Sequence, residues 1–204
     1  MQDYQIYVRN RNTKTKTIGR TRFGRRRKGT RMEIKKGANV IISPLARIYC
    51  SSLEIGDNVR IDDFCILTGN IKIGSNIHIG CYNFYSGNNG IVLEDFVQMA
   101  PRISLLSASD DFSGNSLVGP CLPDELKPRL MKGAIVLKRH VLIGTNSVVM
   151  PGVTISEGAS IGAYSLVKGD CEAWAIYGGV PAKKIKERSQ KMLELEKQFN
   201  NMRL

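Results

Sequence analysis

Residues 55–108 read IGDNVR, IDDFCI, LTGNIK, IGSNIH, IGCYNF, YSGNNG, IVLEDF, VQMAPR, ISLLSA. Every hexad but one opens on an aliphatic residue, the exception being Tyr85. The beat returns at Leu137 as LKRHVL, IGTNSV, VMPGVT, ISEGAS, IGAYSL, VKGDCE. A period of six fits neither a 3.6-residue helix nor a two-residue strand alternation. It fits a coil of short extended segments joined by tight corners. The first residue of each hexad, and usually the fifth, turns inward. Gly and Asn at the second to fourth positions supply the corner backbone angles. Stacked coils bury a continuous aliphatic column, with neighbours about 4.8 Å apart. The nine hexads predict a single unbroken phase.

The beat stops between Ala108 and Leu137. Gly114, Gly119, Pro120, Pro123, Pro128 and Gly133 fall there, with charges at Asp124, Glu125, Lys127 and Arg129. Such a composition predicts a loop over 109–136, and a loop of that length in a compact domain is commonly functional. The expected organisation is a basic leader (1–36), a coiled domain (37–184) and a C-terminal helix (185–204). Met192, Leu193, Leu195 and Phe199 give the helix an apolar stripe suited to capping the last coil.

The chain has 204 residues and a formal net charge of +12. Residues 1–36 hold 13 Lys/Arg against 2 Asp/Glu, whereas the rest of the chain is nearly neutral. The leader reads as a solvated arm, as a first coil with long basic side chains, or as a surface for nucleic acid or anionic membranes. No motif supports nucleic acid as a partner. No apolar run approaches the ~18–20 residues that span a bilayer, and the expected location is the cytoplasm. Five scattered cysteines and two histidines fit neither a disulfide framework nor a metal site, so no metal is expected.

The hexads, together with "IGTNSVVMPGVTISEGASIGAYSLVKGDCEAWAIYGGVPAKKIKER" (143–188), resemble the hexapeptide-repeat acyltransferases, and most of all the sugar and polysaccharide O-acetyltransferases among them. The resemblance implies an all-β fold, a left-handed parallel β-helix with an extruded loop and a C-terminal helix. It implies a homotrimer with sites between neighbouring copies, the loop reaching over a neighbour's site. Acetyl-CoA would be the co-substrate and a sugar hydroxyl the acceptor. A rival reading is N-acetylation of an amino nucleotide sugar. A non-catalytic β-helix scaffold is a third.

Transfer to a hydroxyl calls for a base, and histidine suits that task near neutral pH. The family's usual histidine, after a stretch like "APRISLLSASD", falls here on Asp110. His78, expected to face outward from IGSNIH, is the first candidate base; His140, Asp110 itself, or no protein base are the alternatives. Asp110 and Asp111 would orient an imidazolium or meet sugar hydroxyls, or else form an Asx turn closed by Gly114. Tyr82, Asn83 and Tyr85 are expected at the acceptor pocket. By resemblance, coenzyme A would meet Thr145, Ala163, Lys168, Lys183 and Lys186, with Gly179 and Pro181 shaping the coil exit near the adenine. Thr145 and Ala163 lie one coil apart on one face.

If the leader holds the protein at a membrane, deleting residues 1–28 abolishes co-sedimentation with anionic liposomes; undiminished sedimentation would reject that role.

Overall fold

The structure, a computed structural model, describes residues 33–202. Almost all of the basic leader lies outside the described residues. The chain winds as a parallel β-helix of three faces. The first face stacks Val40–Ile42, Val59–Ile61, Ile77–Ile79, Gln98–Met99, Leu142–Ile143, Ser160–Ile161 and Ala175–Gly178 in parallel register. Long strands such as Arg47–Ile55, Ile66–Ile73 and Phe84–Leu93 carry the second and third faces through one corner. The coil starts earlier than residue 37, because Glu33–Lys36 pairs with Ser52–Ile55.

All fifteen hexad-opening residues are buried, Tyr85 among them. Each face in fact sends in two residues, i and i+2: Ile71 and Ile73, Ile77 and Ile79, Ile91 and Leu93, Val97 and Met99. Up to Ile79 these pairs are the expected fifth and first hexad positions, but Ile91/Leu93 and Val97/Met99 are first and third positions, which corrects the expectation of an unbroken phase. Ile71 aligns with Ile91 and Ile73 with Leu93, so two extra residues enter around Ser86–Gly90. The hexad beat survives because a two-residue slip exchanges one inward position for the other. A slip of one residue would have turned the apolar set to solvent.

The extruded segment is narrower than 109–136. Ile91 pairs directly with Ile135 and Ser104 with Val148. Ser107 accepts a hydrogen bond from the Gly133 N–H at 3.0 Å, and Ala108–Ser109 pairs antiparallel with Met131–Lys132. Residues 108–132 therefore leave the coil at a corner, the one place where an insertion breaks no ladder. Ile135–Leu137 is already coil, since its apolar pair fills the prism.

The C-terminal end also differs from expectation. Lys183–Glu187 is a strand, antiparallel to Ala175–Gly178, and covers the open edge of the last coil. The helix is shorter, Met192–Asn201, and lies against a corner of the prism. That corner carries Asn39, Asn58, Asn76, Phe96, His140, Gly158 and Trp174, all at φ between 54° and 67°. Asn39 donates to Asn58 (3.0 Å) and Asn58 to Asn76 (3.1 Å). Higher up, the Phe96 and His140 rings stack at 5.1 Å, and Phe199 of the helix meets Phe96 edge-on at 6.0 Å. Glu196 binds His140 Nε2 at 2.8 Å and pairs with Arg139, which sits 4.9 Å over Phe96. The helix is thus drawn sideways by an aromatic ladder and its cations, and Leu195 stays exposed.

Gly158 lets the Trp174 ring reach His140, the two ring centroids lying 6.2 Å apart. A Cβ at this residue would lie 2.4 Å from the Trp174 ring, at a φ of +67°. Gly158→Ala should cost about 2–4 kcal/mol in urea unfolding, from left-handed strain plus the displaced ring. A shift in the emission of Trp174, the single tryptophan, should accompany it.

Candidate active site

His78 sits mid-strand between the inward Ile77 and Ile79, so the strand's alternation points it outward. Its column on the first face runs Arg60, His78, Gln98, Leu142. Its imidazole is half exposed, and Nε2 lies 2.8 Å from Asp62 Oδ2. Asp62 also accepts from Arg60 Nε at 2.6 Å. Burial pushes the Asp62 carboxyl up, but the hydrogen bonds from His78 and Arg60 outweigh it and hold the group below its usual range. An ionised Asp62 favours the tautomer with the proton on Nε2, which leaves Nδ1 as the proton acceptor. Sequence reasoning missed Asp62. The signal was available: it opens the corner after Arg60, which stands one coil below His78.

The remaining acceptor-side residues separate sharply. Tyr82 is exposed at the next corner, its ring stacked on Phe64 at 4.9 Å. Asn83 and Tyr85 are corrections, because both point into the prism. The Asn83 amide donates to Gly80 and Ala100 carbonyls at 2.6 and 3.0 Å, and Tyr85 is fully buried. They occupy the i and i+2 inward positions of their face, so neither side chain can reach a ligand on the outside. His140 is likewise buried, beneath the C-terminal helix. Burial, with Arg139, lowers its pKa against the pull of Glu157.

The two loop aspartates have different surroundings. Asp111 accepts from the Ser113 N–H (3.0 Å), the Ser113 hydroxyl (2.7 Å) and the Asn115 N–H (2.9 Å). These bonds, from Ser113 above all, hold its carboxyl below the usual range. A carboxylate so saturated is a poor base, and Asp111 is the Asx-turn residue of the loop. Asp110 emerges from the loop neck, half-buried, with one bond from the Gly119 N–H at 3.2 Å. No hydrogen bond joins His78 to either aspartate among the described residues.

The loop is tied to itself around Lys127. This side chain is buried, pairs with Asp124 at 2.8 Å and donates to the Gly119 carbonyl at 3.2 Å. Phe112, Leu117 and Val118 are left exposed on the loop.

Most of the donor-side residues gather along one corner. Thr145 and Ala163 do stack in successive coils, with Tyr164 N–H bonded to the Thr145 carbonyl at 2.9 Å. The Thr145 hydroxyl donates to the Pro101 carbonyl at 2.7 Å, one coil below. Ala163 is exposed, its methyl the only bulk over the backbone there. Gly179, at φ +100°, donates to Ser165 Oγ at 3.2 Å and accepts from the Leu166 N–H at 3.0 Å. Pro181 follows, and Lys183 and Lys186 extend from the antiparallel strand beyond it. Lys168 stands apart, on the following corner after Leu166–Val167. This column, small residues with lysines at its upper end, offers bare backbone to an amide arm and cations to phosphates.

Comparison with known proteins bears on the same surface. The chain matches no protein-family model. It is 43% identical over 167 residues to the dTDP-4-amino-4,6-dideoxy-D-glucose acyltransferase of Escherichia coli, covering 80% of this chain and 86% of that protein. A point variant of AntD, an N-acyltransferase from Bacillus cereus, superimposes with a TM-score of 0.79 at 46% identity, over 84% of this chain and 91% of AntD. That crystal contains dTDP-4-amino-4,6-dideoxyglucose and coenzyme A; another AntD crystal contains dTDP and 3-hydroxybutyryl-CoA. The galactoside O-acetyltransferase of Escherichia coli is 33% identical over 123 residues, 56% of this chain. With its stacked parallel coils, extruded loop and terminal helix, a left-handed β-helix throughout, the chain belongs to the hexapeptide-repeat acyltransferase family.

Proposed function

We propose that the protein transfers an acyl group from acyl-coenzyme A to the amino group of a dTDP-activated amino sugar, making an amide. The observation that carries this reading is the 43–46% identity, over four fifths of the chain, to two proteins whose names or ligands specify a dTDP-amino sugar. The similarity to a galactoside O-acetyltransferase is lower and covers less of the chain, so an amine is better supported than the hydroxyl first expected. Acetyl is the simplest acyl group; the 3-hydroxybutyryl-CoA bound to AntD supports a longer one equally.

In this reading coenzyme A lies along the corner of Thr145 and Ala163, with Gly179 and Pro181 at its exit. Lys183 and Lys186 meet its phosphates as point charges, and Lys168, on the following corner, is left outside this column. The neutral amine attacks the thioester carbonyl, and the carbon–nitrogen bond forms as the carbon–sulfur bond breaks. The amine's proton passes to His78 Nδ1, Asp62 holding the ring on its other nitrogen, and the thiolate regains a proton on leaving. Asp110 is the alternative acceptor of that proton, reached from the loop of a neighbouring copy.

The site is completed in a homotrimer. Ile66 and Phe84 stand side by side on the outer second face, both exposed on one chain, and Phe112 and Leu117 crown the loop. Apolar surface of this kind is covered when copies associate. The C-terminal helix is too short and polar to cross a membrane, and no other helix among the described residues qualifies.

Thiol release from acetyl-CoA should follow addition of dTDP-4-amino-4,6-dideoxyglucose and yield an amide by mass spectrometry. Turnover with galactosides but none with the amino sugar would overturn the proposal. His78→Ala should lower kcat by roughly 10²-fold or more, and Asp62→Asn by a smaller factor with KM little changed. Wild-type kcat in His78→Ala would move the base to Asp110, for which Asp110→Asn is the check.

A further inference from the structure

Two corners of the prism carry bulky residues in left-handed backbone. At the first, described above, Arg139 rests on Phe96 and its charge is met by Glu196 of the C-terminal helix. The second corner holds Phe64, Tyr82 and Arg102 at φ 59°, 61° and 60°. Asn146, a residue that tolerates this conformation, takes the place in the next coil, and the exposed Tyr164, at φ 57°, takes it in the coil after that. Phe64 stacks on Tyr82, and the Arg102 guanidinium lies over the Tyr82 ring, 5.7 Å from its centroid.

Arg102 is exposed, and no carboxylate pairs with it among the described residues. The same arrangement that is neutralised at one corner is left open at the other. Left-handed strain at bulky, exposed side chains is not recovered by their own burial; the surrounding coil fixes it, and such strain clusters at ligand sites. With its face on an aromatic ring, a guanidinium keeps its N–H edge free, the geometry suited to a phosphate.

We infer that Arg102, held on the Phe64–Tyr82 pedestal, binds the diphosphate of the nucleotide-activated acceptor. The inference rests on the proposed function and names the group that recognises the acceptor's charged half. Placement favours the acceptor over the donor. Arg102 shares the corner of the donor's Thr145 and lies one coil below it, three coils below the lysines that meet the donor's phosphates, so it stands beyond the thioester end of the donor and away from its diphosphate. Tyr82 and His78 belong to one coil, four residues apart, so the pedestal rises beside the candidate base.

The test is calorimetric titration of dTDP, thymidine and coenzyme A into the wild-type protein, Arg102→Asn and Arg102→Lys. Asparagine suits the left-handed corner, so the backbone is undisturbed. Arg102→Asn should weaken dTDP roughly tenfold or more and leave thymidine and coenzyme A unchanged. Arg102→Lys should recover part of the loss, and thermal stability should not fall. Unchanged dTDP affinity in Arg102→Asn would overturn this inference and leave the proposed acceptor standing. A loss confined to coenzyme A would assign the arginine to the donor and overturn it as well. Dissociation of the assembly on sedimentation, with dTDP affinity retained, would make Arg102 a contact between copies. A wild-type protein that binds coenzyme A but no dTDP would sink the proposed acceptor and this inference together.

Discussion

The structure depends on the narrowness of a prism that admits two side chains per face and no more. Each face contributes residues i and i+2, and each coil lies one strand spacing above the last. Given that constraint, corners must turn within a few residues. Several of those residues must adopt left-handed backbone, where the corner columns use Asn or Gly, or bulky residues at a cost. The same constraint decides where the chain can be interrupted. An insertion within a face would shift the inward pair, whereas one at a corner leaves Ile91 in register with Ile135 and Ser104 with Val148.

How much of this the sequence discloses follows from the same geometry. The fold is legible because burial repeats with a period that no helix or flat sheet shares. The two-residue slip at Ser86–Gly90 is hidden because positions i and i+2 are both apolar. Asn83 and Tyr85 were legible and misread: they hold the fifth and first hexad positions, which face inward by the rule that found the coil. Their polar character suggested ligand binding, but the Asn83 amide serves the carbonyls of Gly80 and Ala100. Asp110 and Asp111 could not be told apart as letters. Their hydrogen bonds do so, giving Asp111 to the turn and leaving Asp110 one bond from Gly119. The helix was expected on the end of the prism because an open strand edge needs cover. The cover comes instead from Lys183–Glu187, because the chain doubles back after Pro181 before the helix begins.

A solenoid also separates the demands of stability from those of chemistry. Inward positions are set by packing, and outward ones are free to differ from coil to coil. On the first face the outward column passes from Arg60 through His78 to Gln98 and Leu142, although the inward neighbours remain aliphatic throughout. Proteins that share the coil can therefore act on an amine or on a hydroxyl with no change to the core. The similarity to both kinds of acyltransferase is what that separation leads one to expect.

The corners complicate this division, because there a side chain's direction is bound to a strained backbone. Phe96 and His140 lie under a helix that supplies both apolar contact and a carboxylate, so the chain itself offsets their strain. Phe64 and Tyr82 stack on each other but remain about half exposed, at 46% and 51%. Stacking of one exposed pair offsets only part of the cost of two left-handed aromatic residues, at ~0.5–1.5 kcal/mol against ~1–2 kcal/mol each. The remainder is met by the packed prism that fixes the corner, and a ligand or another copy laid on the exposed rings would add to it. Exposure of the strained pair is what distinguishes this corner from the one the helix covers.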